Sequence, residues 1–168
     1  MKKEYSMAKR IVTKIGNIFC VEIDNQYKRY FQYVANDMEQ LNSSVIRMFK
    51  GQYPMDYVPQ IDEIINDEID FYTHLVLRSG IAENVWYKVG TSLELGDTEH
   101  ITFRTFGISG SIKDKKSDNW YVWRINCESF RIGVLTDEYR EAYVGSIFSY
   151  IHLLKKIRTG MFPGEDIE

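Results

Sequence analysis

The feature that most constrains the fold is a series of short aromatic and β-branched segments separated by turn-forming residues. The first two, GNIFCVEID at 16–24 and YKRYFQYVA at 27–35, meet at the polar residues DNQ and predict a β-hairpin. Four later segments are separated by Gly, Asp, Asn or Ser and predict antiparallel strands. They are NVWYKVG, HITFRTF, NWYVWRIN and FRIGVL. Twelve tyrosines, nine phenylalanines and three tryptophans agree with a strand-rich fold, since aromatic side chains favour strands.

Three further segments are defined less sharply by their pattern. SSVIRMFK at 43–50 fits either a third strand or a short helix, because so short a run does not separate the two periods. IDFYTHLVLRSG at 69–80 predicts a strand that ends near Gly80, with a helix as the alternative. GISGSIKDKKSDN at 107–119 is expected to form an exposed loop.

Two helices are predicted from their end signals. A short acidic helix is expected near 59–67, because Pro59 suits a first turn and the carboxylates of Asp62 and Glu63 favour the positive end of the helix dipole. A second helix is expected near 149–159, where Ser149 can cap the N-terminus. The helix is expected to end at Gly160. Its apolar stripe is predicted to consist of three residues: Ile151, Leu154 and Ile157.

These elements predict an α+β fold, a single domain of mainly antiparallel β-sheet with a short acidic helix and a C-terminal helix. A chain of 168 residues is long enough to bury one core. We expect the domain to span 10–162, with a flexible N-terminus at 1–9 and a flexible C-terminal tail at 163–168. The two cysteines exclude a disulfide framework; Cys20 is expected in a core strand and Cys127 near a turn, both as inert thiols.

Negative charge is concentrated in one stretch of the chain. Residues 56–70, which we call the acid run, hold six of the 24 acidic residues and none of the 21 basic ones, so the rest of the chain carries a net charge of +3. Such clusters are commonly solvated faces without a specific role, but a local negative field also speeds encounter with a basic partner. The six carboxylates belong to Asp56, Asp62, Glu63, Asp67, Glu68 and Asp70.

The sequence gives little support for a catalytic or metal site. Asp70 and His74, four residues apart, supply only two ligands, and His100 and His152 lie in unrelated segments, so no metal or cofactor is predicted. Ser109 in GISGS departs from the Gly-x-Ser-x-Gly nucleophile pattern because its second glycine comes one position early. We therefore predict no catalytic residue.

Nucleic-acid binding and membrane insertion are also weakly supported. Aromatic and basic residues interleave in YKRYFQY and WYVWR, as on single-strand-binding platforms, yet a pI of 5.7 argues against a nucleic-acid partner. The charge-free segment 143–154 is too short and too polar for a membrane span. Polar residues interrupt any apolar signal segment near the N-terminus, so a cytoplasmic protein is expected.

Several ordered blocks together resemble the immunity protein 26 family, bacterial proteins that neutralise polymorphic toxins. The resemblance covers most of residues 10–162. It implies a cytoplasmic, non-enzymatic protein whose partner is a cognate toxin. The blocks are KIGNIFCVEIDNQYKRYFQYVANDMEQLNSSVIRMFK, DEIDFYTHLVLRSGI, VWYKVG, NWYVWRIN and KKIRTGMF.

This resemblance gives the acid run a functional interpretation. A nuclease toxin must be basic to hold phosphate backbones, so an acidic helix and the strand after it would form a suitable binding surface. Tyr72, Trp86 and Trp120 are predicted as anchors of the same interface, provided that they are exposed beside it. The alternatives are a nucleic-acid-binding module that uses the aromatic and basic strands, and a small hydrolase that uses His74.

Overall fold

Two β-sheets form the framework of the protein, whose computed structural model describes residues 10–107 and 115–168. The large sheet contains six strands: β1 (Asn17–Ile23), β2 (Tyr27–Asp37), β3 (Ser43–Phe49), β4 (Ile69–Leu75), β5 (Trp86–Thr91) and β10 (Ile147–Phe148). The small sheet contains four strands: β6 (Thr102–Phe106), β7 (Trp120–Arg124), β8 (Phe130–Gly133) and β9 (Tyr143–Val144). The helices are α1 (Ile61–Ile65), α2 (Leu77–Ala82) and α3 (Tyr150–Thr159), with a 3-10 turn at Asp137–Tyr139.

The strand orders are β10-β4-β3-β2-β1-β5 in the large sheet and β8-β7-β6-β9 in the small one. Neighbours are antiparallel except for β10 beside β4 and β9 beside β6, where two-residue strands pair in parallel. The predicted hairpin is confirmed as β1 and β2, and its turn contains Asp24 and Asn25 with φ angles of 51° and 54°. Positive φ at both positions suits the twist of a tight hairpin turn. The predicted α+β class is therefore confirmed.

Both faces of the large sheet are covered. One face packs against α2 and α3 through a cluster that includes Phe31, Met48, Phe71 and Leu153. The opposite face packs against α1 at one end and against the small sheet at the other. Burial on both faces explains why the central strands β2 and β3 are apolar at consecutive positions and do not alternate with polar residues.

The strand predicted at 69–80 ends earlier than expected, and segment 43–50 proves to be strand β3. Strand β4 stops at Leu75, and helix α2 follows it. The backbone N–H of Val76 donates to the carbonyl of Phe148, and the indole Nε1 of Trp86 donates to the carbonyl of Leu77 at 3.0 Å. These contacts come from distant parts of the chain, so local alternation did not reveal the change to helix.

Both predicted helices are confirmed, with one correction to the second. The α1 helix falls within 59–67, and α3 begins after Ser149 and ends at Gly160 in the left-handed region, with φ of 81°. Ile151 is exposed, so it does not belong to the packed stripe. The packed face of α3 instead consists of the buried Leu153 and three partly buried residues: Tyr150, Leu154 and Ile157.

The C-terminal residues 163–168 form a turn that contacts the small sheet. The guanidinium of Arg104 donates to the carbonyls of Glu165 and Ile167, and Lys156 pairs with the carboxylate of Glu165 at 2.8 Å. The predicted limits of the domain stay predictions, and the predicted N-terminal segment 1–9 lies outside the described residues. Within residues 10–107 and 115–168, no helix combines the length and the apolar character needed to cross a bilayer.

Candidate partner-binding surface

The acid run folds around helix α1, which is fixed to the large sheet by its apolar face. Ile64 and Ile65 are buried in a cluster with Ile18, Tyr30 and Phe49 from the strands beneath. Residues one and two positions earlier face the opposite side of so short a helix. Asp62 and Glu63 are therefore exposed on a rigid support.

Three carboxylates of the acid run are already used within the fold. Asp67 accepts the backbone N–H of Gly51 at 2.7 Å and thereby holds the connection between β3 and α1. Glu68 forms an exposed ion pair with Lys50 at 2.9 Å. Asp70 pairs at 2.8 Å with Arg29, whose guanidinium is buried and also donates to a backbone carbonyl.

The remaining three carboxylates, Asp56, Asp62 and Glu63, define what we call the acid patch. They form no ion pair with any residue in the described ranges. Glu63 accepts the hydroxyl of Tyr57 at 2.7 Å; burial and this hydrogen bond raise the pKa of Tyr57 to about 12. The acid patch is therefore smaller than the acid run, and its three carboxylates are left without an ion pair in the described part of the chain.

The three aromatic anchors predicted for the interface are buried, which corrects that prediction. The exposed fractions are 8% for Tyr72, 1% for Trp86 and 2% for Trp120. Trp86 packs in a T-shaped contact with Phe31, and the guanidinium of Arg104 lies 5.0 Å from the ring centroid of Trp120. A partner cannot reach these rings in this conformation, so they are removed from the proposed interface.

Burial also affects the nucleic-acid alternative. Five rings of its two candidate segments are inside the protein: Tyr30, Phe31, Tyr33, Trp120 and Trp123. Arg29, the basic residue between the first of these rings and Lys28, is likewise buried. Base stacking requires an accessible ring face, so these rings do not form a stacking platform.

A buried polar network joins the two sheets, and nothing in the sequence pattern predicted it. His74 Nε2 lies 2.8 Å from Asp37 Oδ2, and both side chains are fully buried. The same oxygen accepts the indole Nε1 of Trp123 at 2.9 Å, while Oδ1 accepts the backbone N–H of Asn126 at 3.1 Å. Asp37 and His74 belong to the large sheet, and Trp123 belongs to the small one, so the network ties the sheets together.

The protonation state of this network follows from its contacts. Burial lowers the pKa of His74 despite the neighbouring carboxylate, which favours a neutral ring. Burial alone would raise the pKa of Asp37, but hydrogen bonds from His74, Trp123 and Asn126 outweigh it and hold that pKa below its usual value. A neutral His74 donates through Nε2, which agrees with Nδ1 having no hydrogen-bond partner among the described residues.

The histidine, cysteine and serine residues considered for catalysis or metal binding lie in different environments. No group of three His, Cys, Asp or Glu residues able to hold a metal occurs in the described part of the chain. His74, which the hydrolase alternative requires, has no exposed surface through which to contact a substrate. Cys20 is buried as expected, and burial raises the pKa of its thiol, whereas Cys127 is exposed. Ser109 lies outside the described residues.

Comparison with protein-family models, curated proteins and solved structures finds no match to this chain. Function is therefore inferred from the placement and chemistry of the side chains themselves. Among them, the acid patch combines exposure, uncompensated charge and a rigid support.

Proposed function

We propose that this protein is an immunity protein that neutralises a cognate polymorphic toxin, with the acid patch as a contact surface for a basic toxin domain such as a nuclease. One observation carries the proposal. Asp62 and Glu63 project from a helix whose isoleucines are fixed in the core, and no basic residue within 10–107 and 115–168 forms an ion pair with them. The resemblance to the immunity protein 26 family supports the same function.

A rigid acidic surface is well suited to this task. A rigid surface loses little conformational freedom when a partner binds to it. Its negative potential also accelerates the encounter with a positively charged partner. A nuclease domain carries such a positive surface because it must bind phosphate backbones. Neutralisation requires only tight binding, so no catalytic group is assigned, and the protein is proposed to act in the cytoplasm.

The decisive test uses the genes that flank the coding sequence. We expect a neighbour that encodes a large secreted protein with a C-terminal toxin domain. That domain, expressed in bacterial cells, should stop growth, and co-expression of this protein should restore it. A flanking region without a toxin gene, or unrestored growth despite soluble co-expressed protein, would contradict the proposal.

A further inference from the structure

A cleft of about 460 Å³ opens on the small sheet and shares no residue with the acid patch. Thr102 of β6 and Trp123 of β7 line it from the sheet. The chain that leads from the 3-10 turn into β9 lines it from another side, through residues such as Tyr139 and Glu141. The cleft is therefore formed between the sheet and the connection that crosses from β8 to β9.

Carboxylates predominate among the charged residues of this cleft. Three glutamates, Glu128, Glu138 and Glu141, line it together with one cation, Arg124. The formal net charge of the lining is thus −2 when His100 is neutral. None of the three glutamates forms an ion pair within residues 10–107 and 115–168.

Two basic residues at the cleft margin or next to its glutamates in sequence, His100 and Arg140, are paired with carboxylates outside the cleft. His100 Nδ1 lies 2.6 Å from Asp97, at the margin of the cleft. Arg140 lies between Glu138 and Glu141 in sequence, but its guanidinium pairs with Asp137 and Glu168. The negative potential of the cleft is therefore not offset by the arginine closest to it in sequence.

Aromatic rings supply the other part of the lining. Trp123, Phe130, Tyr139 and Tyr143 all border the cleft. Phe130 is 52% exposed, and its ring meets that of Tyr139 edge to face at a centroid distance of 6.1 Å. The indole of Trp123 is fixed in place by its hydrogen bond to Asp37. Because Trp123 is only 2% exposed, the ring surfaces open to a ligand are those of Phe130, Tyr139 and Tyr143, which lie with the carboxylates within one concave site.

From this combination we infer that the cleft binds the guanidinium group of an arginine side chain presented by a protein partner. Guanidinium is planar and weakly hydrated, so it stacks on aromatic rings while its N–H groups donate to carboxylates. Lysine lacks the planar group, and a nucleic acid would bring phosphates against three glutamates. The assignment of this arginine to the toxin rests on the proposed function. The affinity of the cleft for guanidinium does not depend on that function.

The affinity can be measured without the toxin by titrating the isotope-labelled protein with Nα-acetyl-arginine amide in two-dimensional NMR. The indole N–H signal of Trp123, assigned with a Trp123→Phe variant, reports on the cleft. We expect saturable shifts of this signal and of backbone signals near Tyr139. The uncharged citrulline analogue should bind about tenfold more weakly, because charge-assisted hydrogen bonds are lost.

A paired variant locates the site. The double substitution E138Q/E141Q should weaken binding of the arginine probe by about tenfold, since it removes two of the cleft carboxylates. The matched control E39Q/E83Q removes the same charge from exposed positions outside the cleft and should leave binding unchanged. Unaltered chemical shifts elsewhere in each spectrum would establish that the variants are folded.

Three results would overturn the inference: no shift at Trp123 with the arginine probe, equal binding of the citrulline or lysine analogue, or equal weakening by both double variants. These results are independent of the growth assay. Saturable arginine binding in a protein that does not rescue growth would contradict the proposed function alone. Rescue by a protein that does not bind the probe would contradict the cleft inference alone.

Discussion

His74 Nε2 lies 2.8 Å from the carboxylate of Asp37, and neither side chain has any exposed surface. The carboxylate also accepts N–H groups from Trp123 and Asn126, which belong to or follow a strand of the other sheet. A buried polar group is costly unless it is hydrogen-bonded, so this arrangement is stabilising only as a complete network. Its four members consequently fix how the two sheets pack.

Replacing Asp37 with alanine is expected to lower the free energy of unfolding by about 3 kcal/mol or more, since the buried N–H donors of His74 and Trp123 and the part-buried backbone N–H of Asn126 lose their acceptor. Asp37→Asn should cost less because one oxygen remains. Urea unfolding at neutral pH measures both values. Asp118→Ala, at an exposed position, is the control and should change stability by less than about 0.5 kcal/mol. A similar cost for Asp37→Ala and the control would contradict the importance of the network.

The same network predicts how stability depends on pH. Burial lowers the pKa of His74 in the folded state, so below about pH 6.5 the unfolded chain binds a proton that the folded chain does not. Stability from His74 is therefore present above about pH 6.5 and is lost as the pH falls towards its folded pKa. Asp37, whose pKa is also lowered, adds a further loss below about pH 4.

A His74→Gln variant tests this dependence, because glutamine retains an N–H donor but does not titrate. Urea unfolding is measured at about pH 7.5 and about pH 5.5. The free energy of unfolding should fall less between these values in the variant than in the natural protein. Identical pH dependence in the two proteins would show that His74 does not contribute to it.

A side chain larger than hydrogen at Gly80 in helix α2 is expected to destabilise the fold. A Cβ atom at this position would overlap the ring of Trp86, whose indole N–H donates to the backbone carbonyl of Leu77 and so holds the ring in place. Gly80→Ala should therefore destabilise the protein by about 1–3 kcal/mol, whereas alanine for glycine in a helix usually stabilises it by about 0.5–1 kcal/mol.

A double-mutant cycle with Trp86→Phe separates the cost of the clash with the Trp86 ring from the gain in helix propensity that alanine brings. The smaller ring provides room for the added methyl group, so Gly80→Ala should cost less in the Trp86→Phe background than in the natural protein. Thermal and urea unfolding of the four proteins provide the comparison. A stabilising Gly80→Ala substitution in the natural background would contradict the predicted clash.

The sequence predicted the elements whose signals are local. The hairpin of β1 and β2, the acidic helix and the cap of α3 each depend on residues within one short segment, so periodicity and end signals were sufficient. The early end of β4 depends instead on Phe148 and Trp86, which are distant in sequence. The two-residue strands β9 and β10 are too short to give a pattern.

The candidate site was predicted only in part, for a related reason. Spacing places Asp62 and Glu63 on an outward helix face, but it does not show that Arg29 and Lys50 neutralise Asp70 and Glu68. The predicted aromatic anchors are buried for reasons that alternation does not show. Tyr72 and Trp86 lie in the large sheet, both faces of which are covered, and Trp120 of the small sheet packs against Phe106 and the guanidinium of Arg104.

The most direct measurement compares association rates with the toxin domain encoded beside this gene, by surface plasmon resonance at low and high salt. The variant D56N/D62N/E63Q removes the acid patch and leaves the structural carboxylate of Asp67 intact. The matched control E39Q/E83Q/D118N removes the same charge elsewhere.

The account predicts that loss of the acid patch slows association at low salt and flattens its salt dependence, because surface charges act chiefly on the encounter rate. The control variant should retain a rate close to that of the natural protein. An acid-patch variant that associates as fast as the control at both salt concentrations would contradict the assignment of this surface to toxin binding.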